Sequence, residues 1–171
     1  PGGICSAHGE MIAPDPVTLP PDAFDLAVLW QHPNLLFAQT CWGPLELWLN
    51  DRVRVVGQDD YSEIQGGDGE HYSSAIVMRE PETHGSLASL LTGKRLAYNA
   101  ADSVSGYLCV VRDLASEGAS LDVVSQLLET GGHRNSIRAV ADGQADLAVI
   151  DCKTWALARE FEPKAVQLRA V

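Results

Sequence analysis

Apolar and polar positions alternate along the chain in short blocks of two kinds. Compact apolar runs predict strands at residues 34–39 (NLLFAQ), 52–57 (RVRVVG), 72–79 (YSSAIVMR), 96–99 (LAYN), 145–151 (ADLAVID) and 166–171. Apolar positions spaced three and four apart predict helices between them. A first helix over residues 22–31 follows a Pro-Pro pair, with Asp22 as its N-cap. A helical turn is expected at 86–91, and a helix after Ser103 carries Tyr107, Val110, Val111 and Leu114. Further helices are expected at 121–129, with Val124, Leu127 and Leu128 apolar, at 135–142, with Ile137, Val140 and Ala141 on one face, and at 152–159. Residues 45–49 read as a short helix or turn, and 59–69 as an acidic, glycine-rich loop. Residues 1–21 are rich in proline and show no period, which predicts a loop or arm.

Strands that alternate with helices predict an α/β chain with largely parallel strands. Residues 81–93 are the expected passage between two lobes.

Composition narrows the partners. Twelve basic against 23 acidic residues give a net charge of −11 in 171 residues, a poor match to nucleic acid or an anionic membrane surface. A small anion is not excluded, because helix starts and single cations act locally. Hydrophobic residues make up 46%, so a buried core is expected. No apolar run reaches the roughly 18–20 residues of a membrane-spanning helix. The chain opens on Pro1 without a basic leader-like segment, so secretion is neither indicated nor excluded. Cys5, Cys41, Cys109 and Cys152 are irregularly spaced, with no C-x-x-C. That spacing argues against a zinc or redox site and for buried free thiols, with an approach of Cys109 to Cys152 left open. No cofactor and no metal are expected.

Three polar turns stand where strands end or helices begin. Ser103, Ser105 and Gly106 open one helix, His133, Arg134 and Ser136 open another, and Asp151 ends a strand. Each alone reads as a cap or turn residue, as His8 and His32 read as surface histidines. Together they fall where open α/β sheets collect ligands, beyond the carboxyl ends of strands. The catalytic templates fit poorly. There is no G-x-S-x-G elbow, Gly93-Lys94 lacks the rest of a P-loop, and Gly66-Gly67-Asp68-Gly69 does not precede a helix of the dinucleotide-binding type. A Ser105, His133 and Asp151 triad can be written, but nothing in the spacing fixes a nucleophile.

The segments NLLFAQTCWGPL, YSSAIVMR, LAYNAADSVSGY and TGGHRNSIRAVADGQADLAVIDCKTW occur in an order that resembles the phosphate, phosphite and phosphonate-binding proteins of ABC importers, in their short branch. The similarity runs from about residue 34 to 155. It implies a type II periplasmic-binding-protein fold, two α/β lobes that close on a ligand. It implies ligand contacts from Gln39, Thr40 and Tyr72 on the first-lobe side, and from Ser103, Ser105, Gly106, His133 and Asp151 on the second. Serine hydroxyls and helix-start N–H groups would hold the oxyanion, and His133 would donate to it. Asp151 would accept from a protonated ligand oxygen or from the amino group of a phosphonate. Tyr72 and Trp155 would line the wall. An importer permease is the implied partner, and a periplasmic or cell-surface location is the implied compartment.

The sequence also departs from that pattern. Trp42 separates Cys41 from Gly43, and Gly67-Asp68-Gly69 stands where relatives often carry a second cysteine. The opening strand and helix of the first lobe are not recognisable in residues 1–21, and its closing segment is not found. The expected layout is an arm at 1–21, a partial first lobe at 22–80, a crossing at 81–93, a second lobe at 94–155 and a return segment at 156–171. The sequence then stands for a fragment, for a lobe completed by a second chain or copy, or for a rebuilt architecture. Binding of a small oxyanion without catalysis is the leading expectation. A cytoplasmic sensory domain of the same fold and a hydrolase using Ser105, His133 and Asp151 are the alternatives.

Overall fold

The computed structural model describes residues 4–13, 25–33, 35–80 and 85–171. It resolves into two compact units, residues 1–56 and 57–171. Of the irregular arm expected at residues 1–21, residues 4–13 are described and pair as strands instead, while the cap Asp22 lies outside the described residues.

In the first unit, β1 (Ile4–Cys5) and β2 (Met11–Ala13) form an antiparallel hairpin around Ser6, whose hydroxyl accepts from the N–H groups of His8 and Glu10. Helix α1 (Leu26–Trp30) is capped by Asp25, which accepts from the Val28 N–H. Helix α2 (Trp42–Pro44) runs on into a wider π-type turn, Leu45–Leu49. The Trp30 and Trp48 rings lie 5.8 Å apart. The strands expected at 34–39 and 52–57 are not formed. Residues 35–40 and 53–57 are irregular, Leu36 is 98% exposed, and Val55 and Val56 face solvent. These runs have strand composition, but no neighbouring strand among the described residues takes up their backbone groups.

The second unit carries a five-stranded sheet in the order β7-β6-β8-β5-β9. Its strands are β5 (Ser74–Met78), β6 (Arg95–Tyr98), β7 (Gln126–Glu129), β8 (Leu147–Asp151) and β9 (Arg169–Ala170). A small hairpin, β3 (Gly67–Asp68) with β4 (His71–Tyr72), precedes them, its first strand inside the expected loop of 59–69 and Tyr72 split off from the strand expected at 72–79. The α/β class is as expected, but the sheet is mixed: β6 pairs parallel with β7 and β8, whereas β5 pairs antiparallel with β8 and β9. Strands β5 and β9, from segments expected in the first lobe and its return, are hydrogen-bonded into this same sheet.

Side chains alternate across the sheet with the period of two that a strand imposes. Val77, Ala97, Ala148 and Ile150 point to a face covered by Ile137 and Val140 of α5 (His133–Ala141) and by Trp155 and Ala158 of α6 (Cys152–Phe161). Met78, Leu96, Leu147 and Val149 point to the opposite face. That face is covered by Leu90 and Leu91 of α3 (Leu87–Leu91) and by Val110 and Leu114 of α4 (Cys109–Ser116). Val111, expected on the apolar face of its helix, is 39% exposed. Among the described residues, no helix is long and apolar enough to cross a membrane.

The helix expected at 121–129 is the clearest departure in this unit. Ser120 caps a single 3-10 turn at Leu121–Val123, and the chain then extends into β7. Backbone bonds from Gly93 to Val123 and from Ser125 to Lys94 begin the parallel ladder with β6. The helical spacing of the leucines is outweighed by ladder bonds to a neighbouring strand, a tertiary effect that local pattern does not contain. Cys109 and Cys152 are free thiols, and Cys5 is exposed rather than buried.

Candidate functional site

Strands β6, β7 and β8 run parallel, so their carboxyl ends share one edge of the sheet. Strand β5 runs the other way, which puts its first residue, Ser74, opposite Asp151 at that same edge. Four segments therefore converge there: Asn99 to Gly106, Thr130 to His133, Asp151 and Ser74.

Ser103 is the N-cap of the first of them. Its hydroxyl oxygen accepts from the Gly106 N–H at 3.2 Å and from the Asn99 amide at 2.9 Å. The chain then makes a π-type turn, Val104–Leu108, and continues as α4. Gly106 is required by contact: a Cβ there would stand 1.8 Å from Asn99 Oδ1. Ser105 Oγ lies 3.3 Å from Ser103 Oγ and 2.9 Å from His133 Nε2. The Ser105 carbonyl accepts from the Ser74 hydroxyl at 2.7 Å, which ties the turn to β5. Ser103, Ser105 and Gly106 are all buried.

His133 begins α5 after a turn held by Thr130, whose hydroxyl bonds the carbonyls of Tyr98 and Gly132 and the hydroxyl of the buried Ser136. Its Nε2 is 3.3 Å from Asp151 Oδ2. The other carboxylate oxygen, Oδ1, accepts from the Thr154 N–H and so caps α6. His133 Nδ1 is buried. Burial pulls the imidazole below its ordinary pKa, against the pull of the Asp151 carboxylate and the Val149 carbonyl. The ring is therefore neutral near pH 7.

One nitrogen of His133 thus faces both Ser105 and Asp151. A serine-hydrolase relay needs the two partners on opposite nitrogens, with the acid on Nδ1 and the nucleophile on Nε2. This arrangement is not that relay.

The other expected site residues lie on other segments. Tyr72 lies in β4, its ring 5.3 Å from that of Tyr61. Gln39 and Thr40 belong to the first unit, where the Gln39 carbonyl accepts from the Trp30 indole. Trp155, expected in the wall, is buried in the core beneath α6. Among the described residues no group of three or more metal-ligating side chains occurs.

A family model described as "ABC transporter, phosphonate, periplasmic substrate-binding protein" matches residues 50–171. The chain belongs to this family. Solved structures of the type II periplasmic-binding-protein fold resemble part of this chain. One is PhnD1 from Prochlorococcus marinus (MIT 9301) in complex with methylphosphonate, 21% identical at a TM-score of 0.50, the match covering 57% of this chain and 39% of that one. Another is a binding protein component of an ABC phosphonate transporter from Pseudomonas aeruginosa, 23% identical at a TM-score of 0.48, covering 57% and 34%. A third is the periplasmic aliphatic sulphonate binding protein of Escherichia coli, 18% identical at 0.42, covering 57% and 31%. The chain thus spans well under half the length of these solved proteins. Comparison with curated proteins finds no match.

Within the family's fold, residues that sequence reasoning passed over complete the site's support. Asn99 stands at the end of β6 and holds Ser103, and Ser74 opens β5 and holds the Ser105 backbone. The only sequence signal for either is a polar residue at a strand terminus.

Proposed function

We propose that the chain supplies one wall of a binding site for a small oxyanion, phosphate, phosphite or a phosphonate, in the non-catalytic substrate-binding component of an ABC importer. The observation that carries this reading is the hydrogen-bonded series Ser103, Ser105, His133 and Asp151, drawn from three segments to one edge of the sheet. It presents hydroxyl and imidazole groups beside a helix start, a setting that favours anions. Asp151 Oδ2 is a built-in acceptor for a protonated ligand oxygen or an ammonium group. Methylphosphonate, the ligand of the Prochlorococcus relative, is the natural first probe. Location in the periplasm and a permease partner follow from the same reading. Gln39, Thr40 and Tyr72 enter the proposal on resemblance alone.

Calorimetric titration with methylphosphonate, phosphite and phosphate tests it. Ser105→Ala and His133→Ala are each expected to weaken binding by roughly tenfold or more while the fold survives. Unchanged affinity in both variants would remove the site assignment.

A further inference from the structure

The direction of the hydroxyl series can be worked out by counting hydrogens. Ser103 Oγ already accepts twice, from the Gly106 N–H and from Asn99 Nδ2. A hydroxyl has two acceptor positions and one hydrogen. The Ser103 hydrogen therefore goes to its remaining neighbour, Ser105 Oγ, at 3.3 Å. The Ser105 hydrogen cannot point back along that bond and is directed onward.

At the far end, His133 Nε2 stands between Ser105 Oγ and Asp151 Oδ2. A lone pair on Nε2 would oppose the Asp151 carboxylate 3.3 Å away. The proton belongs on Nε2, so Ser105 does not spend its hydrogen on the histidine. The amide orientation of Asn99 agrees with this order. A Cβ on Gly106 would lie 1.8 Å from Oδ1, so a Cα hydrogen of Gly106 points at that oxygen, a contact an amide hydrogen could not make.

We infer that Asn99 is a positioning residue that sets the polarity of this series, so that Ser105 offers its hydrogen to the ligand and the ligand oxygen seated on it acts as acceptor. The inference rests on the oxyanion-binding reading above. Asn99 touches no ligand; it acts through Ser103. The selection is chemical: the ligand atom on Ser105 must accept, which an ionised phosphoryl oxygen does more strongly than a P–OH oxygen or a donor group.

A double-mutant cycle on the full 171-residue chain, titrated with methylphosphonate by calorimetry, tests the coupling. Asn99→Ala is expected to weaken binding about tenfold in the wild-type background and by less than about twofold in Ser103→Ala. Equal losses in both backgrounds would mean that Asn99 only supports the fold. Should Asn99→Ala fail to fold by circular dichroism, Asn99→Asp keeps the shape and replaces the donor by an acceptor that turns the series round. Its loss of affinity should persist at high salt, where direct repulsion is screened. A loss that salt abolishes would overturn the inference. Nitrogen NMR of the free protein should find His133 protonated on Nε2, and an Nδ1–H tautomer would also overturn it. If wild type binds none of the three anions, the oxyanion reading itself fails; if it binds and only the cycle or the tautomer disagrees, this inference fails alone.

Discussion

Asp151 divides its two carboxylate oxygens between two jobs: Oδ1 caps α6 through the Thr154 N–H at 2.8 Å, and Oδ2 lies 3.3 Å from His133 Nε2. Structure and site therefore share one side chain, and substitutions can separate them. Asparagine caps a helix about as well as aspartate, whereas alanine does not. Asp151→Ala should lose about 1 kcal/mol or more of stability in urea unfolding, and Asp151→Asn only a few tenths from the cap. Asp151→Asn also removes the charge that favours a protonated His133, so the imidazole pKa should fall further below its ordinary value, as read by proton NMR. Equal destabilisation by both substitutions would refute the division of labour.

His133 makes stability depend on pH in a stated direction. Its folded pKa lies below the ordinary value of 6.5, because burial penalises the imidazolium. The unfolded chain then binds the proton more readily than the folded one. The stability associated with neutral His133 is fully present above about pH 6.5 and is lost as pH falls below it. Thermal unfolding followed between pH 7.5 and 5 should show this decline in wild type and a flatter profile in His133→Gln. Parallel profiles would place the acid sensitivity elsewhere.

Asp146 behaves as the opposite kind of group at the other end of the sheet. Arg95 holds it through Nε at 3.1 Å and a terminal nitrogen at 2.7 Å, and the Arg95 backbone N–H adds a third bond. The Arg95 hydrogen bonds, against a smaller cost of burial, bring its pKa to about 2. Stability from this pair is present above the unfolded value near 3.8 and is lost as pH falls toward about 2. Because both side chains are roughly one-third exposed, solvent screening trims the effect. Asp146→Asn should lose about 1–2 kcal/mol at neutral pH and show a shallower acid limb in denaturant midpoints. A variant as stable as wild type at pH 7 would show the bond to be a surface pair without net effect.

What was legible in the sequence follows the same physical divide. Strands β6 and β8 and helices α5 and α6 were readable because their alternation or three-four spacing is produced by the layers they face. Leu121 to Glu129 were misread because Val124, Leu127 and Leu128 fall at helical intervals by coincidence, while ladder bonds to Lys94 and its neighbours decide the outcome. Leu36 and Phe37 show the reverse case, apolar residues that composition assigns to a strand and that stand exposed. Ser105 and His133 are 28 positions apart, and no spacing rule brings them to 2.9 Å; their shared place at helix starts beyond strand ends, and then the resemblance, link them. Asn99 was invisible because its role depends on a glycine seven residues later lying against its amide.

That glycine yields the sharpest test. Gly106 has no positive φ, so alanine fits its backbone, and inside a helical turn alanine by itself would gain up to about 1 kcal/mol. The neighbour decides the sign instead. The new Cβ would meet Asn99 Oδ1 at 1.8 Å and Cγ at 2.9 Å, both far inside contact distance. The amide must swing away, and because Nδ2 holds Ser103 Oγ, the swing breaks that bond as well. Gly106→Ala should therefore destabilise by about 1–3 kcal/mol, the usual cost of forcing atoms into a packed site. It should also weaken methylphosphonate binding to about the level of Asn99→Ala, since both disconnect the same hydroxyl. Urea unfolding and calorimetry on one preparation check the two outcomes together. A variant more stable than wild type, with affinity intact, would mean that Asn99 does not press on Gly106 and that the hydroxyl series is held some other way.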